Sequence, residues 1–261
     1  MNKLYNEKEI IKIALLAGEI ILENGGETYR VEETIQRICL SLGIDTVSAF
    51  VTPTGIFISS NTNENTNYIK RIKKRGMNLN KIMIANNISR DLTSNTIDYK
   101  TAHKKLESLY SQNLNYSEFT KYLNVGICSS FFCLLFKGGL NEFIFAFFIS
   151  IISMFIFDKI ESIGDTNFLS FIIAGCSISI LSIFTVLIFN KVQFDKIVVG
   201  SLMPFVPGVS LTNGIRDLIS LDLVSGTSKI FEAIVIAISL AVGAGFIINF
   251  WIKVFGGGFI I

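Results

Sequence analysis

Residues Phe143–Phe157 read FIFAFFISIISMFIF, and Ser150 and Ser153 are the only polar side chains among them. A helix on the surface of a water-soluble protein needs a polar face, and this stretch has none. Four further apolar runs accompany it: Tyr122–Phe136, Phe168–Phe189, Ile197–Leu211 and Ala233–Ile252. Phe168–Phe189 and Ala233–Ile252 hold 22 and 20 residues, which meets the roughly 20 residues that a bilayer core of about 30 Å requires. The other three hold 15 each and would be ambiguous alone. Beside Phe143–Phe157 they read as spans, with Lys121 and Lys137 snorkelling to lengthen the first and Lys159 the second. The expectation is an α-helical multi-pass membrane protein with about five transmembrane helices, near 122–136, 143–157, 168–189, 197–211 and 233–252.

Outward from these runs the composition changes. The 261 residues are 50% hydrophobic and 17% charged, with mean hydropathy +0.54. Residues 1–121 carry 16 Lys/Arg and 13 Asp/Glu, whereas residues 122–261 carry 7 and 8. One uniform globular domain is excluded; the reading is a soluble domain over 1–115 and a membrane domain over 116–261. The net charge of +2, with basic residues interleaved with acidic ones, implies no nucleic-acid partner. Cys39, Cys128, Cys133 and Cys176 form no CxxC pair, and three of them fall in apolar runs, where a thiol is a small packing residue. With His103 the only histidine, no metal site is expected, and no cofactor.

The N-terminal third reads as α+β. Residues 10–22 form a nearly all-apolar helix that stops at Asn24-Gly25-Gly26. A second helix from Thr28 to Leu42 places Val31, Ile35, Ile38, Cys39 and Leu42 on one face. Ile44–Val51 and Ile56–Ser60, joined by Thr52-Pro53-Thr54-Gly55, read as a hairpin, and Tyr68–Ile72 as a third strand. Asn61–Asn67 is too polar to be more than a connector. Helices follow at Asn80–Leu92 and Tyr99–Tyr110. The opening MNKLYNEKE is polar and no cleavable apolar stretch follows, so this domain is expected to stay cytoplasmic. With the N-terminus inside, cytoplasmic segments hold Lys104, Lys105, Lys121, Lys159, Arg216 and Lys229, against Lys137, Lys191, Lys196 and Lys253 outside. That is a weak positive-inside bias.

The fourth run carries Met203-Pro204-Phe205-Val206-Pro207-Gly208. Each proline lacks an N–H and clashes with the carbonyl four residues earlier, here Gly200 and Met203, so the helix should break inside the membrane. Freed carbonyls at that depth need protein or a wet cavity, and broken helices form substrate sites in many transporters. The alternative is a kink that only shapes packing. Ser210, Thr212, Asn213, Arg216 and Asp217 follow the break, and Ser210, Asn213 and Asp217 share a face. Arg216 is the only arginine after Arg90. Its planar guanidinium suits capture of a carboxylate; alternatively it pairs with Asp217 or Asp222, or snorkels to headgroups. The candidate substrate-binding residues are therefore Pro204, Pro207, Gly208, Ser210, Asn213, Arg216 and Asp217. Asp222 and Glu232 are candidate coupling carboxylates, with an interfacial role the alternative for Glu232.

Two regions resemble the threonine/serine exporter family of bacterial membrane proteins. One is Gly25-Gly26-Glu27-Thr28-Tyr29-Arg30-Val31-Glu32-Glu33-Thr34 with the Val51–Ile56 turn. The other is Pro204-Phe205-Val206-Pro207-Gly208-Val209, running through Asn213-Gly214-Ile215-Arg216-Asp217-Leu218 to Ser225-Gly226 and Glu232-Ala233. The resemblance implies the larger half alone of a two-half transporter, similar to a two-gene version in which a second small multi-pass subunit completes a succinate exporter. The fused version exports threonine and serine. Within the first motif, Gly26 ends a helix, Thr28 caps the next, and Glu32 and Glu33 suit its positive end. Arg30 is left to contact the membrane domain or close the cytoplasmic entrance, and Glu32 joins it as a gating or coupling candidate.

The function expected is a plasma-membrane subunit of a secondary transporter exporting a small carboxylate, succinate-like or threonine/serine, with that partner subunit. The bilayer is its other partner, and higher oligomers are left open. A non-transporting scaffold or regulator is the alternative, although a plain anchor has no need of a broken helix. An enzyme is not expected: no HExxH, GxSxG or GxxxxGK[ST] motif occurs, and His103 lies on a Lys-rich helix.

Overall fold

The computed structural model describes residues 5–60, 67–114, 116–163, 167–189 and 191–256. The expected connector lies, apart from Asn67, outside the described residues. The chain divides into two compact units: 1–115 with 211–230, and 116–210 with 231–261.

The first unit is built around α1 (Glu7–Glu23), whose Ile10, Ile11, Ile13, Ala14, Ala17, Ile20 and Ile21 are all buried. A helix apolar on every side is one that its neighbours enclose. It ends in a Schellman turn: Gly26 N–H donates to Ile21 O at 2.9 Å and Gly25 N–H to Leu22 O at 3.2 Å, with Gly25 at φ +90°. A β-carbon at Gly26 would collide with the Ile21 carbonyl, so this junction requires both glycines. Helix α2 (Thr28–Ser41) follows at once and buries Val31, Ile35, Ile38 and Cys39, the face its spacing predicts. Burial pushes the Cys39 thiol up to about 12, which fits a packing role.

Strands β1 (Val47–Thr52), β2 (Gly55–Ser60) and β3 (Asn67–Arg71) form an antiparallel sheet in sequence order. Thr52 pairs with Gly55 across the expected turn. Val51, Ile56 and Ile58 face the core, while Phe50 and Phe57 pair on the open face. Helices α3 (Leu79–Thr93) and α4 (Tyr99–Ser111) close the core through Ala85, Leu92, Ala102 and Leu106. The buried Glu19 carboxylate meets Lys70 Nζ at 2.9 Å and the Tyr110 hydroxyl at 3.4 Å, linking α1, β3 and α4.

The second unit is helical: α5 (Glu118–Leu135), α6 (Leu140–Ile163), α7 (Asn167–Ile188), α8 (Phe194–Leu202), a 3-10 turn at Met203–Phe205, and most of α10 (Leu223–Phe255). Helix α9 (Gly208–Ile219) begins here and ends in the first unit. Leu140–Ile163, Phe168–Ile188 and Leu223–Phe255 are long and apolar enough to cross a membrane. Phe194–Phe205 with Gly208–Ile219 makes a fourth candidate, bent by 56° at its break. The run expected as the first span, 122–136, forms α5 and does not meet the same measure among the described residues. Helix α6 outgrows its expected span at both ends, so it needs no snorkelling to reach across.

Polarity in this unit is inverted. Ser129, Ser130, Ser150, Ser153, Ser170, Ser179, Ser182 and Ser201 are buried, while Phe131, Phe148, Phe184 and Phe246 are exposed. Small polar residues at helix interfaces and large apolar ones outside are what lipid selects. Helices α7 and α10 pack so closely that a β-carbon at Gly175 would strike Leu240 O, and one at Gly243 would strike Ile172 O.

The double-proline segment breaks as its sequence predicts, but its carbonyls are not freed. Gly200 O accepts from Met203 N–H and Met203 O from Val206 N–H at 3.2 Å, both through the tighter i,i+3 pattern. Val206 is extended, and α9 starts at Gly208. The expectation of unsatisfied carbonyls at Gly200 and Met203 is therefore corrected, because the 3-10 turn supplies the donors that the prolines removed.

Candidate functional site

The α1–α2 junction meets the end of α9 and the start of α10, all within the first unit. Two glycines place the Glu27 side chain immediately before α2, where it is the N-cap residue with extended backbone. Its carboxylate, 9% exposed, is shared between two arginines: Oε1 with Arg216 Nη1, and Oε2 with Arg30 Nη1 at 3.2 Å. The two arginine side chains are half exposed, at 51% and 50%.

Neighbouring groups lock the same elements together. Asn213 Nδ2 donates to Gly25 O at 3.3 Å. Thr28 Oγ1 donates to Asp222 Oδ2 at 2.6 Å, so its hydroxyl ties α2 to the α9–α10 turn rather than capping its own helix as expected. Ser225 Oγ donates to Val51 O at 3.3 Å. Asp217 is fully buried and receives Lys229 Nζ at 2.7 Å on Oδ2, while its Oδ1 has no partner among the described residues. Glu32 Oε1 accepts the Val51 N–H at 2.8 Å. Burial pushes the Glu32 carboxyl above the usual range; the Val51 N–H opposes this, and the charges of Asp222 and Asp217 add to it.

The structure thus brings Arg30, Glu32, Asn213, Arg216, Asp217 and Asp222 into one network. Pro204, Pro207, Gly208, Ser210 and Glu232 belong to the second unit. Ser210 and Asn213 are half-buried and Asp217 buried along α9, whereas Arg216 lies on the exposed side. Pairing of Arg216 with Asp217 or Asp222 is overturned: Lys229 holds the first and Thr28 the second, and Arg216 turns to Glu27. Glu27 is a member that sequence reasoning gave no role, while Thr28 was read only as a helix cap and Lys229 only as a cytoplasmic charge. A glutamate and an arginine in the two separate motifs were the signal for the first.

Known proteins resemble this chain along most of its length. The chain is 22% identical over 249 residues to a protein of Escherichia coli K12 named probable succinate transporter subunit YjjP, covering 94% of this chain and 96% of that one. It is 21% identical over 250 residues to the protein of the same name from Klebsiella aerogenes, covering 94% and 95%. No solved structure matches. A model of the ThrE threonine/serine exporter family matches residues 12–251, and the chain belongs to that family.

Proposed function

We propose that this chain is a non-enzymatic subunit of a secondary transporter that exports a small carboxylate across the plasma membrane, with a second small membrane subunit. The observation that carries the reading is that Arg216, after the broken apolar segment of an exporter-family chain, already holds a carboxylate. A guanidinium that binds Glu27 can bind the acid group of a succinate-like dicarboxylate or of threonine or serine by the same charge-assisted bonds. The relatives' name, a succinate transporter subunit, supports the dicarboxylate and the partner. The first unit is cytoplasmic, α5 counts as the fifth span, and alternating access moves the broken segment. Asn213 and Arg216 serve the substrate; Asp217, Asp222 and Glu32 serve coupling, with Glu232 a further candidate. Pro204, Pro207, Gly208 and Ser210 shape the break that positions α9.

Efflux of labelled succinate, threonine and serine from cells expressing this chain, with and without the partner subunit, tests the reading. Succinate efflux should need both chains. Arg216→Ala and Arg216→Lys should both lower it by about tenfold or more, since one charged hydrogen-bonded contact contributes roughly 1.5–3 kcal/mol. Normal abundance of the variants in the membrane is the control. Parental efflux from both variants would remove Arg216 from the substrate's path, and no efflux of any of the three would favour a scaffold.

A further inference from the structure

Arg30 lies in the first turn of α2 and Arg216 in the last turn of α9, far apart in sequence, yet both point at one carboxylate. We propose that the position between Arg30 and Arg216 is the binding site for the carboxylate of the transported acid, and that Glu27 occupies it as a built-in stand-in that the substrate displaces. The inference rests on the export reading above and adds the ligand's seat and its internal competitor.

Three features favour a displaceable occupant over a plain brace. First, the Glu27 carboxylate gives one oxygen to each guanidinium instead of locking both onto one. Each planar fork therefore keeps N–H donors unspent. Second, exposure is asymmetric: Glu27 lies behind at 9%, while both arginines are half open, so an incoming anion meets the guanidinium groups before it meets the glutamate. Third, two cations face one anion, and the next carboxylates are engaged elsewhere, Asp222 by Thr28 and Asp217 by Lys229. At the seat itself the two guanidinium groups outnumber the single Glu27 carboxylate, while Asp222, bonded to an uncharged hydroxyl, keeps its negative charge and favours exchange with Glu27 over binding beside it. Glu27 precedes α2 directly after a glycine pair, and a modest rotation of its side chain would clear the seat while the helix stays in place.

The full chain in lipid nanodiscs, titrated calorimetrically with succinate, tests this. An internal competitor lowers apparent affinity by the fraction of time the seat is filled, so Glu27→Gln should bind succinate about tenfold more tightly than the parent. Arg30→Ala should bind it about tenfold more weakly, for loss of one charged contact. Glu27→Ala should lower the unfolding temperature, and succinate should restore it further than it raises the parent's. A plain brace predicts the reverse: equal or weaker binding by Glu27→Gln and no rescue of Glu27→Ala. If the parent binds succinate and Glu27→Gln binds no tighter, the stand-in role is overturned while the export reading survives. If neither parent nor Glu27→Gln binds succinate, threonine or serine, the seat itself is overturned, and the efflux assay reads separately whether export stands. Should Glu27→Gln unfold, Glu27→Asp, one methylene shorter, is expected to tighten binding to a smaller degree; unchanged affinity there overturns the proposal equally.

Discussion

Glu32 accepts the Val51 N–H from a half-buried position, and burial holds its carboxyl above the usual carboxylate range. A raised folded value means that the folded chain binds this proton more tightly than the unfolded chain. The group's contribution to stability is then largest in acid and declines as pH rises from the unfolded value through the raised one. Glu32→Gln keeps an oxygen for Val51 N–H and removes the titration. Across mildly acidic pH, the unfolding temperature of the variant should fall less with rising pH than the parent's, as thermal unfolding at stepped pH would show; parallel profiles would deny Glu32 this role. Individual residues differed in how far the sequence disclosed them. Arg216 stood out as an isolated arginine, but its partner lies 189 positions away, and no local spacing encodes such a pairing. Thr28 read as a cap because helix starts favour threonine, and a distant Asp222 competed successfully for its hydroxyl.

Helices α9 and α10 meet as a tight hairpin because glycines line their contact. A β-carbon at Gly226 would sit 2.6 Å from Leu218 Cγ and 2.8 Å from Gly214 O, and one at Gly214 would crowd Ile230. The turn between them closes with Asp222 N–H donating to Asp217 O at 2.9 Å, with Leu221 at φ +65° where glycine is the usual choice. Gly226→Val should cost about 1–3 kcal/mol by overpacking. It should also loosen the Thr28–Asp222 tie, so both the unfolding temperature and efflux should drop; a fully active, equally stable variant would show that the hairpin tolerates spreading. The helices and strands before α5 were legible because period-2 and period-3.6 patterns and the Pro53/Gly55 turn are local signals. The double-proline break was legible for the same reason. The repair of its carbonyls was not, since a switch to i,i+3 bonding depends on backbone angles rather than side-chain pattern. Helix α6 ran past its apolar run because helix ends follow hydrogen bonding, and charged Lys159 and Glu161 continue a helix readily.

The second unit wears its hydrophobic side chains outward and buries serines, and α5 shares the pattern with Ser129 and Cys133 buried and Phe131 exposed. The proposed topology counts α5 as a fifth crossing beside the three long apolar helices and the bent pair. In a background with Cys39, Cys128, Cys133 and Cys176 replaced by alanine, Lys137→Cys and Lys196→Cys should react with an impermeant maleimide from outside the cell. Ser162→Cys and Thr227→Cys should react only after permeabilisation. Protection of Lys137→Cys until permeabilisation would mean that α5 does not cross. The apolar runs and the partition of charge along the chain made the second unit readable, whereas the polar stretch with Arg216, Asp217, Asp222 and Lys229 did not disclose that residues 211–230 pack with the first unit. The glycine contacts of α7 with α10 carry a mechanical consequence. With Gly175 against Leu240 and Gly243 against Ile172, and Cys176 Sγ donating to Gly243 O at 3.3 Å, neither rod can slide along the other without driving backbone into backbone. The two are expected to move as one stiff blade, so the alternating access proposed above should find its pivot at some other seam.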